Sequence, residues 1–285
     1  MNKRSKFFKD IGVTAISKAL LSIQVFLLIP LLTRFLSPEE FGVWSQLKIT
    51  YILLAGISLF GLETAIIRFI PSKTNQKEVS KILITILSIA ILSSSVIGIL
   101  LVFFGSEISL LITKSTSNSV YFQYLSILLI LHLLHAIFVA FFRAKERVKE
   151  YSSIEIIRAI AEISLTFIFL QKFLNIWGAL LGLTIAEVIS ILIYVYLAKS
   201  SFSIEKPSVS IAKPLLLFSL PFVVSPLLFW ILQTGDQYIL GAIHGTAVVG
   251  AYSIAYSLSR IIRIIADPIL LVNLPAITTA FNANN

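Results

Sequence analysis

The chain of 285 residues is 57% apolar and only 13% charged, with 23 Lys and Arg against 14 Asp and Glu for a net charge of +9, and a mean hydropathy of +0.95. Soluble domains carry about 25% charged residues, and apolar runs of this extent cannot stay solvated as a disordered chain, so an all-α integral membrane protein is expected. With no cysteine, disulfides, thiolate metal sites and cysteine nucleophiles are excluded, and with three histidines and one methionine neither a metal centre nor a cofactor is expected.

A bilayer core of about 30 Å takes about 20 helical residues at 1.5 Å each, so the gap between charges is the useful measure. In chain order the predicted spans lie near 11–33, 41–69, 82–104, 120–142, 152–171, 176–198, 214–235 and 247–273. The first is interrupted only by Lys18, the third lies in a charge-free run from Ile82 to Ser106 and the fourth in one from Ser115 to Phe142. Glu155, Arg158 and Glu162 fall in the fifth, Glu187 alone in the sixth, and the seventh lies within Pro214–Gly235, again free of charge. The runs are apolar on every face and rich in Leu and Ile, which excludes the short alternating strands of a barrel. The first run is too long, and too charged at Lys18, for a cleavable signal peptide.

Cations mark the cytoplasmic loops of membrane proteins. Sixteen fall in the N-terminal segment and the 2–3, 4–5 and 6–7 connections, counting Arg68 and Arg158 at the adjoining span ends, while Arg34, Lys114 and Lys172 alone occupy the other side and Lys18, Lys48, Arg260 and Arg263 sit inside spans, an alternation without exception. A multi-pass protein of the plasma membrane with a cytoplasmic N-terminus is expected. The positive charge is thus topological, and nucleic acid is not an expected partner.

Internal repeats are common in transporters. A shift of 208 residues lays Phe41-Gly42-Val43-Trp44-Ser45 on Val249-Gly250-Ala251-Tyr252-Ser253, each preceded by a short turn, LSPEE in one copy and HGTAV in the other. The shift pairs spans one and two with seven and eight. It implies a first six-helix lobe over residues 1–200, followed over 201–285 by an inter-lobe loop and the first two helices of a second lobe. A third helix of that lobe is then expected beyond Asn285, so the chain is expected to be truncated or partial.

The stretches LLTRFLSPEEFGVWSQ (31–46), GLETAIIRFIP (61–71) and SLPFVVSPLLFWILQTGDQYILGAIHGTAVVGAYSIAYSL (219–258) resemble the polysaccharide transporter family, the Wzx-type O-antigen and capsule flippases. These belong to one superfamily with MATE exporters and the lipid II flippase. The resemblance covers essentially the whole chain. It implies a MATE-like multi-span helical bundle with a complete first lobe and a partial second one. The implied activity is flipping of a polyprenyl-diphosphate-linked oligosaccharide from the cytoplasmic to the outer leaflet by alternating access, without enzymatic chemistry. Polysaccharide assembly proteins are expected partners alongside the lipid bilayer. A cation-coupled exporter of the MATE type is the alternative, although no acid occurs between Ile11 and Pro38 where its proton-coupled members tend to place one. A membrane glycosyltransferase or polymerase is the more distant one, since the outward connections are short and lack paired carboxylates.

Charges within a bilayer normally face a cavity or a partner. Tyr252, Tyr256, Arg260, Arg263 and Asp267 share one face of span eight, and Trp44, Lys48, Tyr51, Ala55 and Ser58 one face of span two. With Lys18 in span one, the cations Lys18, Lys48, Arg260 and Arg263 form a ladder suited to a diphosphate, and Trp44, Tyr51, Tyr252 and Tyr256 suit sugar rings. Against this, Lys48 could snorkel beside Trp44, and Arg263 could pair with Asp267. Glu63, Glu187 and Asp236 are candidates for ion coupling, or for pairing with another helix. Glu155, Arg158 and Glu162 read as a self-satisfied triad and His132 and His135 as helix-to-helix hydrogen-bonding groups. Pro221 and Pro226 interrupt the ladder of span seven and are candidate hinges or static kinks.

Overall fold

The computed structural model describes residues 3–73, 75–199, 202, 203 and 205–259. Its helices are α1 (Lys3–Phe35), α2 (Pro38–Ser58), α3 (Leu62–Phe69), α4 (Gln76–Thr113), α5 (Ser119–Ala144), α6 (Val148–Phe173), α7 (Ile176–Ala198), α8 (Val209–Ser219), α9 (Val224–His244) and α10 (Thr246–Ser259), with 3-10 turns at Thr116–Asn118 and Leu220–Val223. No strand occurs among the described residues. A helix stands at each of the eight expected spans. Four stretches are long and apolar enough to cross a membrane, five if α2 and α3 count as one bent span. The remainder fall short for identifiable reasons: α6 carries Glu155, Arg158 and Glu162, the apolar part of α1 is Ala19–Phe35, and α10 is described over 14 residues. The outer face of α4, including Leu92, Val96, Ile99 and Phe103, is exposed, as a lipid-facing helix requires.

The expected single span 41–69 is broken. It opens with a capping box, in which Ser37 Oγ accepts from the Glu40 amide at 3.2 Å and Glu40 Oε2 accepts from the Ser37 amide at 3.0 Å, with Pro38 in the first turn. It bends by 46° between Ser58 and Leu62. Phe60 and Gly61 there adopt left-handed backbone with φ of 47° and 67°. A Cβ on Gly61 would sit 2.5 Å from the Ser219 carbonyl oxygen, so the break rests directly on the end of α8. Ser93 Oγ of α4 donates to the Ser58 carbonyl at 2.7 Å, occupying an oxygen the broken ladder leaves free. Pro221 lies in the 3-10 turn between α8 and α9, while Pro226 sits in the first turn of α9, where a missing amide hydrogen costs little.

α10 packs across α2 at the opposite end. A Cβ on Gly42 would lie 1.8 Å from the Thr246 carbonyl oxygen, and one on Gly250 would lie 2.7 Å from the Pro38 carbonyl oxygen. The 208-residue shift carries Gly42 onto Gly250 and Pro38 onto Thr246, so these four residues meet crosswise, as a local two-fold relation between the two segments produces. Farther along α2, Thr50 Oγ1 and Tyr238 Oη of α9 lie 2.5 Å apart, and Trp230 Nε1 donates to the Ile49 carbonyl at 2.8 Å.

Two apolar clusters divide the interior of α1–α7. One gathers Leu47, Leu125, Phe122 and Leu180, the other Leu62, Ile66, Ile86, Phe141 and Tyr194. Along α5 the first ends at Leu129 and the second begins at Leu133, and along α7 they end and begin at Leu183 and Tyr194. Between them lies a polar layer.

Candidate functional site

That layer is assembled from residues three, four or seven apart on single helix faces. α5 supplies His132 and His135, α6 supplies Glu155, Arg158 and Glu162, α7 supplies Glu187 and Tyr194, and α2 supplies Lys48 and Tyr51. Arg158 is its centre: Nε lies 3.5 Å from Glu155 Oε2, and Nη1 lies 3.2 Å from Glu162 Oε2 and 3.8 Å from Glu187 Oε1. His135 Nε2 is 2.7 Å from Glu155 Oε1, which also accepts from Tyr194 Oη at 3.1 Å. Gln24 of α1 donates to Glu162 Oε2 at 2.7 Å, and Lys48 Nζ stands 3.9 Å from Glu162 Oε1. Glu187 is 2% exposed, Glu162 4% and His135 6%. Desolvating so many charges is costly unless they are paired, and the layer draws its partners from five helices, α1, α2, α5, α6 and α7.

A cavity of about 410 Å³ borders this layer, lined by Tyr51, Gly56, Glu63, His132, Pro226 and Trp230 among others. It lies between the α2–α3 break, α5 and the start of α9. The Gly42–Thr246 crossing is some fourteen residues up α2, about 20 Å away at 1.5 Å per residue. His132 is the link between cavity and layer: its side chain is 30% exposed, its ring meets Tyr51 edge-on at 5.3 Å, and its Nδ1 is 3.7 Å from Glu187 Oε1.

Of the residues expected from sequence, Tyr51, Glu63 and Pro226 line the cavity together, and Glu187 lies behind it. Lys48 stands over the Trp44 ring at 5.7 Å and beside Glu162. Tyr252 donates to Asp236 Oδ2, and its ring stacks with Tyr256 at 6.3 Å, some distance up the α9–α10 pair. Arg260, Arg263 and the Lys18 side chain lie outside the described residues. Of the proposed cation ladder, Lys48 alone can therefore be placed, and its nearest charged neighbour is an acid. Glu155, Arg158 and Glu162 do pair within α6, but they also bind α1, α2, α5 and α7, which a self-contained triad would not do. The missed signal was collective: ionisable residues on α5, α6 and α7 share no in-span solvent, so they have to find one another.

The match to the family model for polysaccharide biosynthesis proteins spans residues 7–281. No curated protein matches the chain by sequence. The structure is similar to that of the MATE multidrug transporter DinF-BH, with a TM-score of 0.73 and 19% identity over 94% of this chain and 64% of that one. It is also similar to an inward-facing MATE family transporter of the MOP superfamily (TM-score 0.66, 19% identity, 87% of this chain and 59% of that one). A MOP superfamily transporter from Pyrococcus furiosus is a third (TM-score 0.62, 19% identity, 92% and 61%). The chain thus spans about three fifths of the length of these transporters. A helical bundle with the MATE fold, a polar layer inside it and a family match over nearly its whole length lead to one assignment: the chain is a multi-pass membrane protein of the polysaccharide biosynthesis family.

Proposed function

We propose that the protein carries a polyprenyl-diphosphate-linked oligosaccharide across the plasma membrane by alternating access between two lobes, the first ending near residue 200. No bond is made or broken in this process; the task is to shelter a hydrated head group while its lipid tail stays in the bilayer. The observation that carries the proposal is the cavity between the α2–α3 break and the start of α9, shut about 20 Å away by the Gly42–Thr246 crossing. A chamber towards one end of the bundle and a tight crossing towards the other suit a carrier that alternates. The family match supports the substrate class. In proteoliposomes the protein should speed the loss of protection of a fluorescent polyprenyl-diphosphate oligosaccharide against an impermeant quencher. A rate equal to that of protein-free vesicles would sink the proposal.

A second reading, a cation-coupled exporter, is favoured by one observation: the Glu63 carboxyl stands on the cavity wall. Uptake of an organic cation by the same vesicles, without lipid flipping, would select it.

The distribution of Lys and Arg supports an N-terminus on the cytoplasmic face, and the cavity, beside the break in span two, then lies towards that face. The chain has no cysteine, so single labels can be introduced directly. Ser117→Cys should react with an impermeant maleimide in intact cells and Lys77→Cys only after permeabilisation; the reverse pattern would invert the topology.

A further inference from the structure

His135 presents both ring nitrogens to carboxylates, Nε2 at 2.7 Å from Glu155 Oε1 and Nδ1 at 3.4 Å from Glu187 Oε2. A neutral imidazole has one N–H, so it can satisfy only one of them and turns a lone pair towards the other oxygen. His135 Nδ1, Glu187 Oε2 and His132 Nδ1 are all buried without a hydrogen-bond partner, and they converge on one point. The charge count falls short by the same amount. Among the described residues, Glu155, Glu162 and Glu187 stand against Arg158 and Lys48, leaving one uncompensated negative charge while both imidazoles are neutral.

We infer that His132, His135 and Glu187 form a proton-binding site, in which His135 becomes an imidazolium clamped between Glu155 and Glu187 and is supplied from the cavity through His132. The step moves one proton from a hydronium ion in the cavity to a ring nitrogen and leaves water behind. His132 is the path because it is the member of the site that lines the cavity, and it reaches Glu187 Oε1 at 3.7 Å.

Other cations fit less well. The ligand atoms of His132, His135 and Glu187 lie within 4.8 Å of one another. A divalent ion there would turn a deficit of one charge into an excess of one, with the Arg158 guanidinium 3.8 Å from the same carboxylate. A hard cation would meet two ring nitrogens where it takes oxygen. The groups facing the site are Tyr51 and Lys48 on α2, Glu155, Arg158 and Glu162 on α6, and Tyr194 on α7, with the Gln24 amide of α1 holding Glu162. Glu63 on α3 shares the cavity wall with His132. Among the described residues no other carboxylate stands at His135 Nδ1. The use of the proton to drive transport rests on the carrier reading above; the existence of the site does not.

Nitrogen-15 spectra of the histidine rings, recorded on the full chain in bilayers, test this directly, because only His132, His135 and His244 contribute and single Gln replacements assign them. An imidazolium signal should be assigned to His135. Glu187→Gln should lower its titration midpoint by a pH unit or more, and Glu155→Gln should do likewise from the other side, so that the test survives if either variant fails to fold. Glu187→Asp should stay near the original midpoint. A His135 that is neutral down to pH 5, or a midpoint unmoved by both Gln variants, would overturn the site. So would one-to-one zinc uptake abolished by His135→Gln, which would make it a metal site. A failure to flip lipid leaves these spectra unaffected, and a failure here leaves the flipping assay standing.

Discussion

Arg158→Met is expected to destabilise the folded protein by about 3–5 kcal/mol, the usual consequence of removing one partner from a buried ion pair. The guanidinium lies within 4 Å of three carboxylates, Glu155, Glu162 and Glu187, of which the last two are almost fully buried. Without it Lys48, at 3.9 Å from Glu162, is the one fixed cation left to the layer among the described residues, and Glu155 and Glu187 lose theirs in a low-dielectric interior. The measurement is thermal or denaturant unfolding of the purified protein in bilayer discs. The double variant Arg158→Met with Glu162→Gln restores the charge count and should recover a substantial part of the loss. Loss below about 1 kcal/mol for the single variant would place Arg158 in the range of an exposed pair and would disprove its central position.

Gly42→Leu should separate α10 from α2. An ordinary contact at Cβ begins near 3.4 Å, whereas a Cβ on Gly42 would stand 1.8 Å from a backbone carbonyl oxygen, which cannot rotate away as a side chain does. The helices have to part by at least about 1.6 Å, and a branched side chain demands more. Gly250→Ala, at 2.7 Å from the Pro38 carbonyl, should act in the same direction but less strongly. Spin labels at Glu39→Cys and Val248→Cys, both exposed beside the crossing, would report the change as a longer and broader distance distribution. An unchanged distribution in the Leu variant would show that the crossing does not hold this end closed. In the flipping assay the same variant should lose most of its transport, since a carrier that cannot shut one end cannot alternate.

Much of the bundle was legible in the spacing of charges. Gaps of 22 to 28 residues are a direct measure of bilayer thickness, and helices lie at every predicted span. The break at Phe60-Gly61 was not, because a single glycine inside an apolar helical run carries no local sign of a bend; it depends on α8 lying against it. The polar layer was legible only in fragments. Spacings of three and four placed His132 with His135, and Glu155 with Arg158 and Glu162, each on one face. Which faces turn towards one another is set by packing, and periodicity is silent on that. Lys48 shows the same limit: its depth was readable, but its neighbour Glu162 stands 114 positions later in the chain. The 208-residue repeat aligned Gly42 with Gly250, yet alignment alone did not reveal that the two segments touch.

The bend in span two and the joint between α8 and α9 are in contact, Gly61 resting on the Ser219 carbonyl with Phe222 beside it. Both belong to the cavity wall. A displacement of either joint therefore has to be accommodated by the other, while Ser93 of α4 fastens the end of α2 at Ser58.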